Sequence, residues 1–170
     1  MEEIKNEDDF QRRLKIISPA IRAKAEELYR SGKKLRAIGF WNGTHAYPDL
    51  PDPKNFQDET WNPEEKTIVI AYLKKHPPVM GYLGLSYCRF ECGTVNMGSC
   101  EMTDGVYCWP EGLSHYLENH AVRLPDEFVA HCRNNENAPI PFKKADPKAE
   151  LLWFFAADYS WWKSQKGWQN

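Results

Sequence analysis

Between Tyr87 and His120 the chain reads YCRFECGTVNMGSCEMTDGVYCWPEGLSHYLENH, which holds four of its five cysteines and two of its five histidines. Thiols and imidazoles are nucleophiles, proton carriers or metal ligands, and their spacing decides among these roles. Cys88 and Cys92 form a C-x3-C pair followed at once by Gly93. A glycine there lets the backbone curl, so that two sulfurs point into one place. This is the logic of a zinc knuckle, although C-x2-C is the commoner spacing. His115 and His120 stand five apart in WPEGLSHYLENH. On an ideal helix they lie about 140° apart, so they share one ion only if the last turn loosens. Their spacing is within the H-x3–5-H range of Cys2His2 zinc sites. The expected ligand set is Cys88, Cys92, His115 and His120, and the expected cofactor is zinc. Cys100 and Cys108 stand between the pairs as rival ligands.

Four protein ligands close a tetrahedron and leave no position for an activated water, so the expected role is structural. The rival reading is a small hydrolase or thiol enzyme built around the Trp109–His120 helix. In one version Glu111 and His115 work with His120 and Asp104 on an open metal. In another, Cys100 or Cys108 is a nucleophile beside His115 or His131. His45, with Asp49 and Asp52, reads as an ordinary loop histidine. No phosphate-binding glycine loop, dinucleotide fingerprint or nucleophile elbow is present.

These residues need elements to hold them. Asp104–Gly105 is a hairpin turn signal between short strands. Pro110 suits a first helical position and Glu111 the positive end of the helix dipole. The order is therefore cysteine turn, hairpin, then a helix carrying the histidines, a zinc-finger-like subsite over residues 86–133. The gap from Cys92 to His115 holds 22 residues, against about 12 in a DNA-binding finger. Upstream, SPAIRAKAEELYRSG reads as a helix ending at Gly32, and KLRAIGFW as a strand. Residues 47–62 form a proline-containing loop, either a lid or a packed wrap. NPEEKTIVIAYLKKH reads as a helix with Asn62 as cap and Glu65 completing a capping box. VMGYLGLSYC reads as a strand and PDEFVAHCRNN as a short helix. Leu151, Leu152, Phe155, Tyr159 and Trp162 recur at helical spacing and predict an amphipathic C-terminal helix over 148–166. Trp153, Trp161 and Trp168 would then point elsewhere, into a second buried side or an aromatic patch.

A chain of 170 residues reads as one small mixed α+β domain, 1–170. A formal net charge of −2 gives no general field for nucleic acid, and KKLR at residues 33–36 reads as a solvated turn. No signal peptide or membrane-length apolar run is present, so the expected setting is cytoplasmic, where cysteines stay reduced. Seven tryptophans favour either a dense core or an aromatic surface. The surface reading points to a protein partner or self-association rather than nucleic acid.

The run GLSYCRFECG…NMGS, TDGVY, WPEGLSHYLENH and VRLPDEFVAH, from Gly84 to His131, resembles a family of uncharacterised bacterial proteins. In that family a C-R-x(1–2)-C-G knuckle precedes N-G-S or N-M-G-S, T-D-G, W-P-E-G-L-x-H-Y and H-x-V-x-L-P. The resemblance implies that Cys88, Cys92, His115 and His120 act as one unit. It implies that Asn96, Gly98, Thr103, Asp104, Gly105, Trp109, Pro110 and Glu111 form its scaffold. It implies no reaction, and Cys100, Cys108 and Cys132 fall outside its pattern.

Overall fold

The computed structural model describes residues 4–43, 48–76, 78, 80–140 and 156–168. It begins with a helix, α1 (Glu7–Ile16), which the sequence reading did not include. Asn6 caps it by accepting from Asp9 N–H at 2.9 Å, and Glu7, Asp8 and Asp9 sit at the positive end of the dipole. Phe10 and Leu14 bury one face against Ala25 of α2 (Arg22–Ser31), and Phe10 stacks on Tyr29 at 3.9 Å. The helix expected over SPAIRAKAEELYRSG starts with a single 3-10 turn, Pro19–Ile21, and ends at Gly32 in the left-handed region.

β1 (Lys34–Ala37) follows. Residues 48–62 are a packed wrap: Leu50, Phe56 and Trp61 are buried around a single turn, Pro53–Phe56. α3 (Pro63–Lys75) is capped by Asn62, which accepts from Glu64 and Glu65 N–H. The capping box is not completed. Glu65 instead accepts from Trp61 Nε1 at 2.7 Å and pairs with Arg133, tying the wrap to a later helix.

β2 (Met80–Gly81), β3 (Cys100–Thr103) and β4 (Tyr107–Pro110) form an antiparallel run, with Asp104–Gly105 at the β3–β4 turn as expected. α4 (Leu113–His120) and α5 (Asp126–Asn134) follow, then β5 (Ala156–Asp158) and α6 (Ser160–Ser164). The sheet has the order β2-β3-β4-β1-β5, and β1 runs parallel to both β4 and β5. On one face Leu35, Ala37, Cys108 and Ala157 meet Leu28 of α2. On the other, Ile38, Tyr107 and Trp109 join the main core with α3, α4 and α5. The sheet is therefore covered on both faces, as its parallel part requires.

The α+β class stands, but one expectation about its elements is corrected. The C-terminal segment is not one helix over 148–166: residues 156–158 are a strand and the helix is only Ser160–Ser164. The edge of β1 offers ladder bonds that override the helical spacing, and 148–155, with Trp153, lie outside the described residues. The described tryptophans are also packed rather than displayed. Trp41, Trp61, Trp109 and Trp162 are buried, and Trp161 lies under Arg36 at 4.3 Å. Trp168 is 38% exposed, yet its Nε1 donates to Arg123 O and its ring lies under the Arg123 guanidinium. Among the described residues, no helix is long and apolar enough to cross a membrane.

Candidate metal centre

The cysteine turn closes a ladder. Tyr82 N–H donates to Ser99 O, Ser86 N–H to Gly98 O, Met97 N–H back to Ser86 O, and Cys88 N–H to Thr94 O, all within 2.8–3.0 Å. Residues 82–88 and 94–99 thus extend the β2–β3 pairing up to the knuckle. Between Cys88 and Thr94 the chain reverses by two left-handed residues, Glu91 at φ 54° and Gly93 at φ 84°. Gly93 was the expected pivot. Glu91 does the same with a side chain, a conformation that disfavours most residues. Phe90 N–H donates to Cys88 Sγ at 3.4 Å.

The histidine helix is held against this turn by Glu111. Its Oε2 accepts from Ser99 and Cys100 N–H at 3.1 and 3.2 Å. The carboxylate lies where a Cβ on Gly98 would stand, 2.2 Å from it, so residue 98 must be glycine for this clamp to form. Pro110 and Glu111 are therefore not the first helical turn. Pro110 ends β4, and the helix opens at Leu113 after Gly112, where a Cβ would lie 2.5 Å from Met97 O.

The last turn of α4 is widened. The N–H groups of Ala121 and Val122 both reach back to Tyr116 O, five and six residues away, and Ala121 takes a left-handed conformation at φ 51°. An i→i+5 closure turns less per residue than an α-helix, so residues five apart come nearer to one face. This is the loosening the spacing demanded.

As a result Cys88, Cys92, His115 and His120 converge, their ligand atoms all within 4.8 Å of one another. Cys88 Sγ is 3.2 Å from His120 Nε2, Cys92 Sγ is 3.4 Å from His115 Nε2, and the two Nε2 atoms are 3.2 Å apart. The group could hold a metal ion. Its two sides differ. Cys88 is buried, and burial pushes its thiol up. Cys92 is exposed, and hydrogen bonds from the hydroxyl and backbone N–H of Thr94 lower its thiol to about 5. Phe90 stacks flat on His120 at 4.3 Å, and the Asn119 amide lies 3.1 Å from Nδ1 of His115. Phe90, Thr94 and Asn119 went unnoticed in the sequence. Their signal was position: between the cysteines, two after the second, and four after a histidine.

The other candidates lie elsewhere. Cys108 and Cys132 are wholly buried, and burial pushes both thiols up, so neither is an accessible thiolate. Cys100 is half-buried on β3. Asp104 is bound to His131 and Tyr72 instead of the cysteine–histidine group: its Oδ2 lies 2.7 Å from His131 Nε2 and accepts from Tyr72 OH at 2.7 Å. Asp49 pairs with Lys163, and Asp52 caps the Pro53 turn. His45 lies outside the described residues. Comparison with known protein families, curated proteins and solved structures found no match.

Proposed function

We propose that Cys88, Cys92, His115 and His120 bind zinc as a closed structural centre, and that the chain is a binding module rather than an enzyme. One observation carries this reading: four soft or borderline ligand atoms, two sulfurs and two imidazole nitrogens, lie within 4.8 Å of one another. Zn–S and Zn–N bonds of ordinary length imply tetrahedral edges of about 3.3 Å for N···N and about 3.6 Å for S···N. The N···N separation of 3.2 Å and the S···N separations of 3.2 and 3.4 Å lie close to those edges. Two thiolates with two imidazoles suit zinc better than magnesium, calcium or manganese. Four ligands leave no place for a reacting water. The metal then joins the knuckle to α4 and contributes folding energy directly. The resemblance to the bacterial family supports the same four residues as a unit.

Elemental analysis of purified protein tests this. One zinc per chain is expected, with the metal lost in Cys88→Ser and His115→Ala. Metal-free protein that melts at the wild-type temperature would overturn the proposal.

A further inference from the structure

A cleft of about 800 Å³ opens at one end of the sheet. Residues 39–41 after β1, Pro110 at the end of β4 with Gly112 just beyond it, and Tyr159 and Lys163 after β5 line it. These are the carboxyl ends of the three mutually parallel strands, the place where open sheets receive ligands. The volume is within the range of binding sites. The ladder segment 82–87 lines it as well, together with Arg89 of the knuckle and Tyr116 of α4.

Three features of this lining go together. Leu83 is fully exposed, and Tyr82, Leu85 and Tyr87 are exposed beside it. Elsewhere among the described residues the exposed large apolar side chains are Ile16, Val95, Val106, Ile140 and Trp168, and none of these lines the cleft, so residues 82–87 hold its concentrated apolar surface. Tyr82, Ser86 and Cys88 spend their N–H groups on the inner ladder, while Leu83 and Leu85 N–H meet no acceptor among the described residues. Gly84, at φ 102°, bends the chain between those two leucines. The charge is one-sided. Lys5, Arg89 and Lys163 line the cleft against one acid, Glu101, on a chain whose net charge is −2. Lys163 pairs with Asp49. Arg89 is fixed by donating to Asn42 O and Tyr87 O over the Tyr87 ring, and meets no carboxylate among the described residues.

We infer that this cleft receives an extended acidic peptide segment of a partner, its apolar side chains against residues 82–87 and its carboxylates toward Arg89. Free backbone donors beside exposed leucines and tyrosines match the way a strand joins a sheet edge. A second copy of the chain fits less well. A two-fold contact sets a patch against itself, and cationic rim would then face cationic rim. The inference deepens the binding-module reading and leaves the metal reading separate.

The test uses zinc-loaded full-length protein and two end-blocked heptapeptides, ELEFELE and KLKFKLK, followed by amide chemical shifts. The expected result is saturable binding of the acidic peptide only, with shifts confined to Trp41, residues 82–87 and Arg89. Leu83→Asp and Arg89→Glu should each weaken it at least about tenfold with zinc content unchanged. Equal binding of both peptides, or shifts elsewhere, would overturn the inference. So would binding untouched by variants that keep their zinc, or preference for an oligothymidylate probe. Self-association in sedimentation, abolished by Leu83→Asp and without peptide binding, would assign the cleft to a second copy instead. Loss of zinc in the unmodified chain counts against the metal reading alone.

Discussion

Two histidine clusters in this molecule share a local plan and differ in what completes them. In each, a histidine on a short helix carries an asparagine four residues on: His115 with Asn119 on α4, and His131 of α5 with Asn135 just past its end. His131 meets its own counter-groups. Asp104 Oδ2 lies 2.7 Å away, and Tyr72 OH shares that oxygen. The Asp104 side chain is 5% exposed, and its other oxygen accepts from Val106 and Tyr107 N–H across the hairpin turn. Donors and acceptors are both present, so the knot is complete as protein. His115 Nε2 meets His120 and Cys92 instead of a carboxylate. In the proposed reading a metal cation completes this group. The same helix-borne imidazole pairs with a carboxylate in one place and joins a group that could hold a metal ion in the other.

The comparison breaks most decisively at the metal. Cys88→Ser or His120→Ala should release zinc and lower the melting temperature by on the order of 10 °C or more. A chelator should do the same to the wild type. Asp104→Asn should leave zinc content unchanged and cost about 2–4 kcal/mol in chemical denaturation. A drop in zinc there would merge the two clusters into one unit. That cost should depend on pH. Burial pushes the Asp104 carboxyl up, but His131, the Tyr107 and Val106 N–H groups and Tyr72 OH outweigh it and hold the carboxyl below its usual range. A depressed acid stabilises fully above its unfolded value of about 3.9 and loses that contribution as pH falls through the folded value. The gap between Asp104→Asn and wild type should therefore narrow below about pH 4.

Smaller effects sharpen the same picture. Gly98→Ala should cost about 1–3 kcal/mol, because its Cβ would strike the Glu111 clamp and its φ of 83° disfavours a side chain. In metal-free protein an alkylating thiol reagent should label Cys92 first and leave Cys108 and Cys132 unmodified, as read by mass spectrometry. With zinc bound, Cys92 should be protected. Labelling of Cys108 before Cys92 would contradict the assigned burial. Leu83→Asp should change stability by less than about 0.5 kcal/mol, since the side chain is fully exposed.

The cysteine–histidine group was legible in the chain because its parts are scarce residue types at short spacing, joined by an unambiguous Asp–Gly turn. The helix between them was legible except for its start. Pro110 and Glu111 carry initiation signals, but Glu111 is taken by the Ser99 and Cys100 amides. The second cluster was not legible, because Tyr72 reaches Asp104 across 32 residues and His131 across 59, and local pattern carries no such information. β5 was hidden for a related reason. Its apolar spacing reads as helix, and only the free edge of β1, fixed by the rest of the fold, draws Ala156–Asp158 into a ladder. The binding surface was expected from tryptophans. Those described are packed, and the exposed apolar group is Tyr82, Leu83, Leu85 and Tyr87.

The central claim is that the group at Cys88, Cys92, His115 and His120 is complete only around zinc. X-ray absorption at the zinc edge of the purified full-length protein tests it most directly. The account predicts two sulfur ligands at about 2.3 Å and two imidazole nitrogens at about 2.0 Å, with no oxygen neighbour. A first shell containing water or carboxylate oxygen, or a single sulfur, would contradict it.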